Sequence, residues 1–217
     1  MKQPPQIAIV VPAFNEAAVL PELFRRLEAV FDASPEILWR AVLIDDGSRD
    51  QTVALITGQC RKDSRFRLLG LSRNFGFQNA LTAGLAHCGD ADAVVTMDAD
   101  LQDPPELIPA MVTAWQQGAG VVLAVRKTRS ERGLRRVGFD LFHRFFGLLS
   151  DFPIEPNTGT FGLLDRAALE AFNTLPEKHR FFPGLRSWVG FNRVDVSYER
   201  QERAAGQPGQ TLRRLVR

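Results

Sequence analysis

The sequence predicts an α/β protein built on an open, mostly parallel sheet that is covered by helices on both faces. Between residues 7 and 125, short apolar runs rich in β-branched residues alternate with amphipathic segments, and the links between them are short. Polar clusters recur where the predicted strands end. Because open α/β sheets bind ligands at the carboxyl ends of their strands, these clusters predict the functional edge.

The elements follow one another in a regular order. Five strands are predicted over IAIVVPAF, RAVLI, FRLLGLS, DAVVTMDAD and AGVVLAVR. Helices are predicted from Glu16 onward, and then over QTVALITGQC, NFGFQNALTAGLAH and PPELIPAMVTAWQQG. Asp50 and Asp103 are placed to cap the second and fourth helices. Beyond residue 125 the rhythm breaks, although GTFGLLD and RVDVSYER resemble strands and RAALEAFNTL resembles a helix.

Composition limits the classes of function. The chain has 217 residues, 45% of them hydrophobic, which suits one large domain or one domain with a tail. A net charge of only +2 argues against nucleic acid as a partner. Arginines concentrate in residues 126–144 and 200–217, which indicates contact with phosphate or an anionic surface. Two separated cysteines fit a reducing compartment, and no signal peptide or run of about 18 apolar residues is present in the sequence.

An acidic cluster ends the fourth predicted strand, in VVTMDADLQDPPE. Asp98 and Asp100 lie two residues apart, so a fully extended chain would point both carboxylates to one side. Together with the amide oxygen of Gln102 they form a set of hard oxygen ligands suited to Mg²⁺ or Mn²⁺. Neighbouring carboxylates raise each other's pKa, and a bound cation would relieve their repulsion.

The ordered motifs VVPAFNE, LIDDGSRDQT, LSRNFGFQNALTAGL and MDADLQDPPE resemble the family 2 inverting glycosyltransferases. The most similar branch transfers a sugar from a nucleotide to a polyprenyl phosphate, and includes dolichol-phosphate mannose synthase and bacterial polyprenyl-phosphate glucosyltransferases. The resemblance covers nearly the whole chain and is most specific through residue 126. It implies the Rossmann-like, three-layer GT-A fold and a metal-dependent hexosyltransferase.

The resemblance also implies roles for individual residues. It assigns the nucleotide sugar to Pro12, Phe14, Glu16, Asp45 or Asp46, Asp98 and Ala99. It assigns the metal to Asp98, Asp100 and Gln102, and catalysis to Asp100, Arg126 and Asn157. It assigns the acceptor phosphate to Arg135, Arg136 and Arg203. For Arg73 and Asn74, a structural turn and a ligand contact are equally compatible with the motif.

One segment departs from the family pattern. Where the resemblance expects D-x-G-D-F-R-L, the chain reads NTGTFGL, so that Asn157 and Thr160 replace acids and Gly162 replaces an arginine. Asn157 cannot act as a base, but it can orient an acceptor oxygen. A phosphate acceptor is already anionic near neutral pH and has less need of a base than a sugar hydroxyl. Positioning and electrostatics could then supply most of the catalysis.

The resemblance implies UDP-glucose or GDP-mannose as donor and undecaprenyl or dolichyl phosphate as acceptor, at the cytoplasmic face of the inner membrane. We expect a catalytic domain over 1–200, with a nucleotide-sugar half (1–126) and an acceptor half (127–200). A basic juxtamembrane tail (201–217) would follow. The tail suggests either a peripheral protein or a chain cut before transmembrane helices. A homo-oligomer is also compatible with the sequence.

Two hydrophobic features have alternative interpretations. The segment GLRRVGFDLFHRFFGLL predicts an amphipathic helix that lies in a membrane interface or packs against the core. Phe181, Phe182 and Trp188 line an acceptor cleft or pack in the core.

Two other functions stay open. One is a GT-A enzyme that acts on a sugar hydroxyl, and the loss of an acid at Asn157 argues against it. The other is a non-catalytic nucleotide-sugar-binding module, and the intact acidic cluster argues against it.

Overall fold

The computed structural model describes residues 3–126 and 158–199. The strands in this part of the chain are β1 (Gln6–Ala13), β2 (Leu38–Asp45), β3 (Phe66–Gly70), β4 (Ala93–Thr96), β5 (Val121–Arg126), β6 (Thr158–Asp165) and β7 (Arg193–Tyr198). The helices are α1 (Leu20–Asp32), α2 (Thr52–Lys62), α3 (Phe77–His87), α4 (Ile108–Gln116), α5 (Arg166–Thr174) and α6 (Phe182–Trp188). A single 3₁₀ turn, Pro105–Leu107, leads into α4.

The strands form one seven-stranded sheet in the order β3-β2-β1-β4-β6-β5-β7. Strands β1 to β4 pair in parallel, as do β5 and β7. Only β6 runs antiparallel to its neighbours within this sheet, and it lies between β4 and β5. The prediction of a mostly parallel α/β sheet is confirmed.

The sheet is the middle of three layers. Alternate residues of β1 face opposite sides, so Ile7, Ile9 and Val11 pack with α1, α2 and α4, whereas Ala8 and Val10 pack with α3, α5 and α6. All five of these β1 residues are fully buried. A central parallel strand covered on both faces needs such a continuous apolar run, which explains why β1 was predictable.

Several predicted boundaries and caps are wrong. Strand β4 ends at Thr96, so the acidic cluster lies in the following loop. The cap positions belong to Gln51 before α2 and to Pro104 before the 3₁₀ turn, not to Asp50 and Asp103. Asp50 nevertheless accepts a hydrogen bond from the Thr52 N–H at 3.0 Å.

Several predicted features lie outside the described residues. They are Asn157, Arg135, Arg136, Arg203, the amphipathic segment that follows residue 132, and the tail over 201–217. Within the described residues, none of the helices is long and apolar enough to cross a membrane.

Candidate active site

The carboxylates that follow β2 organise two loops at the carboxyl edge of the sheet. Asp45 accepts hydrogen bonds from the N–H groups of Gly47 and Ser48, at 3.2 and 3.1 Å. Asp46 accepts from the N–H groups of Phe75 and Gly76, at 2.7 and 2.9 Å. Both carboxylates are buried, so these bonds compensate for the loss of water and fix the local backbone.

The loop after β3 is packed directly against the loop after β2. Gly47 has a φ of 72°, and a Cβ built on it would lie 2.6 Å from the carbonyl carbon of Arg73. Only glycine fits this close approach. The Arg73 guanidinium lies 4.0 Å from the centre of the Phe75 ring, while Asn74 borders the cleft described below. The loop that contains Arg73 and Asn74 is therefore a structural turn, and it also places Asn74 beside the cleft.

The acidic loop follows β4. Asp98 Oδ1 accepts a hydrogen bond from the Thr160 hydroxyl at 2.8 Å, which ties the loop to β6. Asp100 is buried and accepts from the Gln102 N–H at 3.1 Å, and Leu101 between them adopts a φ of 61°. The two carboxylates are thus positioned by a folded loop and not by extended strand geometry, which corrects the sequence-based reason for their proximity.

The carboxyl group of Asp98 has a raised pKa. Burial raises its pKa to about 6, and the negative charges of Asp103 and Asp100 act in the same direction. The Thr160 hydrogen bond and the charge of Arg126 lower that pKa in part. A strongly raised carboxyl pKa inside a cleft is typical of functional sites.

Arg126, the last residue of β5, is held in a polar cluster. Its Nε donates a hydrogen bond to the Tyr198 hydroxyl at 3.2 Å, and its Nη2 lies 4.0 Å from Asp103 Oδ1. The Tyr198 hydroxyl in turn donates to Asp103 Oδ1. Asp103, which the sequence suggested as a helix cap, is instead a buried partner of β5 and β7. Tyr198 was missed because no local pattern marks a contact across 95 residues.

One cleft of about 670 Å³ gathers most of the predicted residues at the carboxyl edge of the sheet. It is lined by Pro12, Phe14, Glu16, Asp46, Asp98, Ala99, Asp100 and Arg126, together with Thr160 and Gly159 of β6. Asp45 borders an adjoining pocket that shares Phe14, and Gln102 borders neither of them.

A larger cleft, of about 940 Å³, lies at the opposite edge of the sheet, between Gln3, Trp115 and Arg166. We assign function to the smaller one, because ligands of open α/β sheets bind at the carboxyl ends of the strands and because the clustered carboxylates and Arg126 are there.

Gly162, where the family pattern has an arginine, lies beside an arginine of α6. A Cβ at this position would lie 2.6 Å from the Val122 carbonyl oxygen and 3.2 Å from Arg186 Nη1. Arg186 is buried and donates from Nη2 to the Gly159 carbonyl at 3.1 Å. Burial and the nearby charge of Arg193 lower its pKa to about 10. A guanidinium from the neighbouring helix therefore occupies the space beside the glycine.

The aromatic residues near α6 divide into two groups. Phe182 is fully buried against Phe172, so it belongs to the core. Phe181 and Trp188 are 53% and 49% exposed, so they lie at the surface of the protein. The Phe182 N–H donates to Gln78 Oε1 at 3.0 Å, and Gln78 lines the cleft, so Phe181 lies close to the cleft mouth.

Comparison with known proteins decides the family. The model of the family described as "Glycosyl transferase family 2" matches residues 8–172. The chain belongs to that family. The predicted resemblance is confirmed, and with it the assignment to the glycosyltransferases.

The related proteins are longer than this chain and align with it over most of its length. A bactoprenol glucosyl transferase of Shigella phage SfV is 40% identical over 93% of this family 2 chain and 65% of its own length. The glycosyltransferase YkcC of Bacillus subtilis is 38% identical over 98% of this chain and 65% of its own length. The chain thus spans just under two thirds of the curated relatives that it matches.

Solved structures confirm the GT-A fold. A mannosyltransferase from Pyrobaculum calidifontis, in complex with GDP-Man and Mn²⁺, matches with a TM-score of 0.61 at 19% identity, over 89% of this chain and 55% of that one. A mannosyl-3-phosphoglycerate synthase from Rubrobacter xylanophilus matches with a TM-score of 0.60 at 20% identity, over 97% of this chain and 69% of that one.

The cleft contains oxygen ligands of the kind that a divalent cation takes in proteins. Asp98 and Asp100 bring two carboxylates into the cleft, and the pKa of Asp98 is raised by burial and, to a smaller extent, by the charges of Asp103 and Asp100. The described residues contain no group of three or more His, Cys, Asp or Glu side chains that could hold a metal ion. Mg²⁺ typically uses one or two carboxylates and takes its other ligands from water and substrate phosphates, so the site fits such an ion.

Proposed function

We propose that this chain is the catalytic domain of a metal-dependent inverting glycosyltransferase that moves a hexose from a nucleotide diphosphate to a polyprenyl phosphate. The observation that supports this proposal best is the cleft that brings Asp98, Asp100 and Arg126 together. The similarity to bactoprenol glucosyl transferases favours glucose and a bacterial polyprenyl phosphate. UDP-glucose is therefore the preferred donor, with GDP-mannose as the alternative.

The parts of the cleft suit different parts of the donor. Pro12, Phe14, Glu16 and Asp46 line the cleft and would hold the base and ribose. Asp98 and Asp100 would hold Mg²⁺ or Mn²⁺, which would stabilise the charge of the diphosphate leaving group when bound. Gln102 is half-buried beside Asp100 and would support the loop or reach the ion through water.

The acceptor chemistry fits the loss of an acid in this chain. Thr160, which replaces a family carboxylate, directs its hydroxyl to Asp98 and cannot act as a base. A phosphate monoester acceptor is anionic and needs mainly to be oriented, and Arg126 offers the phosphates of both substrates, the donor diphosphate first, a positive charge at the cleft. Asn157, Arg135, Arg136 and Arg203 lie outside the described residues and remain predictions for this step.

The deciding experiment is a calorimetric titration of UDP-glucose and of GDP-mannose, each with Mn²⁺ and with EDTA. We expect one donor to bind in the presence of the metal and to lose most of its affinity with EDTA or in Asp100→Ala. Equal binding with and without metal would contradict the proposed role of Asp98 and Asp100 as metal ligands. Transfer of labelled glucose to undecaprenyl phosphate then tests the acceptor, and transfer to a sugar hydroxyl instead would support the alternative enzyme.

Membrane association is part of the same proposal. A polyprenyl phosphate presents its head group at the membrane surface, so the catalytic domain must work there. The cytoplasmic face is proposed because nucleotide sugars are supplied on that side of the membrane in the branch that the sequence resembles. The exposed Phe181 near the cleft mouth favours contact with an apolar surface.

A further inference from the structure

Tyr198 joins two functional elements of the site that are remote in sequence. It is the last residue of β7 and is paired in register with Arg126, the last residue of β5. Its hydroxyl donates to Asp103 Oδ1 and accepts from Arg126 Nε at 3.2 Å. Asp103 closes the loop that carries Asp98 and Asp100. One hydroxyl group therefore links the acidic loop to the arginine of the cleft.

The Tyr198 and Asp103 side chains are buried, so the hydrogen bond between them is shielded from water. Asp103 is 1% exposed and Tyr198 is 5% exposed. The Tyr198 ring packs edge-on against Phe161, with the ring centres 6.0 Å apart. Burial and the hydrogen bond to Asp103 raise the pKa of Tyr198 to about 12, so the phenol stays neutral and keeps its proton to donate. A buried carboxylate without such partners would be costly.

We propose that Tyr198 is a positioning residue, which holds the Arg126 guanidinium toward the donor diphosphate; this inference rests on the proposed function. The Tyr198 hydroxyl bonds both groups, while Arg126 Nη2 and Asp103 Oδ1 are 4.0 Å apart, at the limit of an ion pair. Without the hydroxyl, the buried carboxylate would attract the guanidinium into a direct pair. The positive charge would then turn away from the cleft.

Tyr198→Phe tests this role, because it removes the hydroxyl and keeps the ring. We expect UDP-glucose or GDP-mannose, whichever the wild type binds, to bind about tenfold more weakly. Binding of the corresponding nucleoside, uridine or guanosine, should be unchanged, since it has no diphosphate. Ser197→Ala is the matched control, because it removes an exposed hydroxyl from the preceding residue of β7. Equal affinities in Tyr198→Phe and wild type would overturn the proposal.

A double-mutant cycle separates positioning from a general structural effect. If Tyr198 acts through Arg126, then adding Tyr198→Phe to Arg126→Met should cause little further loss of donor binding. Additive losses would contradict the proposal, even if both single variants bind weakly. Melting temperatures of all variants show whether folding has changed.

A measurement without ligand keeps the inference distinct from the proposed function. The Arg126 Nε–H resonance, assigned by its absence in Arg126→Lys, should be protected from exchange in the free wild-type protein and should shift in Tyr198→Phe. An unshifted resonance would overturn the positioning role. If neither donor binds the wild type, the proposed function fails, whereas this resonance still decides whether Tyr198 holds the guanidinium.

Discussion

The hydroxyl of Thr160 lies 2.8 Å from Asp98 Oδ1, and this hydrogen bond joins β6 to the acidic loop. The family pattern has an acid where Thr160 stands, and a carboxylate there would face Asp98 with a second negative charge. The threonine hydroxyl instead donates a hydrogen bond to Asp98. This bond lowers the pKa of Asp98 in part, whereas burial raises that pKa to about 6. The substitution therefore keeps Asp98 closer to its ionised form.

Thr160→Val should move the pH dependence of donor binding upward. Loss of the hydroxyl removes a group that stabilises the ionised carboxylate, so the pKa of Asp98 should rise by about one unit. Metal-dependent binding of the donor should weaken about fivefold near pH 6 and change little near pH 8. Calorimetric titrations across this range measure the effect. Thr113→Val, on the exposed side of α4, is the control, and an equal loss at both pH values would contradict the explanation.

Asp98→Asn should stabilise the metal-free protein while it abolishes metal-dependent donor binding. A carboxyl group with a raised folded-state pKa stabilises the fold below its usual pKa of 3.8, and that stability is lost as the pH rises through about 6. Asparagine stays neutral, so the variant should melt higher near pH 7 and match the wild type near pH 4. The size of the shift sets an upper limit of about 3 kcal/mol in the free energy of unfolding.

Asp90→Asn provides the opposite control for that experiment. The hydrogen bond and charge of Arg40 lower the pKa of Asp90 to about 2, so its ionised form stabilises the fold above the usual pKa. Its neutral variant should melt slightly lower near pH 7, because the carboxylate is exposed and the effect is small. If Asp98→Asn in EDTA melts at a lower temperature than the wild type, then the ionised Asp98 carboxylate does not destabilise the fold.

The sequence was sufficient for features that depend on local patterns. The apolar run of β1 and the polar residues after β4 predicted the sheet and the location of the cleft. It was insufficient where distant segments meet. Asp103 precedes two prolines and looks like a helix cap locally, whereas its partner Tyr198 is 95 residues away. Helix α6 was missed because its seven residues, which include two aromatics, a glycine and one arginine, show no clear period.

Gly162→Ala should destabilise the protein, because the added methyl group would meet the Val122 carbonyl oxygen at 2.6 Å. That neighbour is backbone in a paired strand, so relief requires β5 and β6 to separate. We expect a loss of about 1–3 kcal/mol in urea unfolding. Gly58→Ala is the matched control, because a Cβ there meets nothing within 4 Å and alanine favours the α2 helix. A stable Gly162→Ala would mean that the strands can separate at little cost.

Phe181→Asp should weaken binding to vesicles that contain anionic lipid, if the cleft faces the membrane as proposed. Phe181 is 53% exposed near the cleft mouth, and an aspartate there would lose apolar burial and add repulsion from the lipid head groups. We expect about a tenfold loss in cosedimentation. Leu38→Asp is the matched control, because Leu38 is 54% exposed but begins β2 at the opposite edge of the sheet. Equal losses in both variants would argue that neither edge is a specific membrane contact, and an unchanged Phe181→Asp would place the contact elsewhere on the domain.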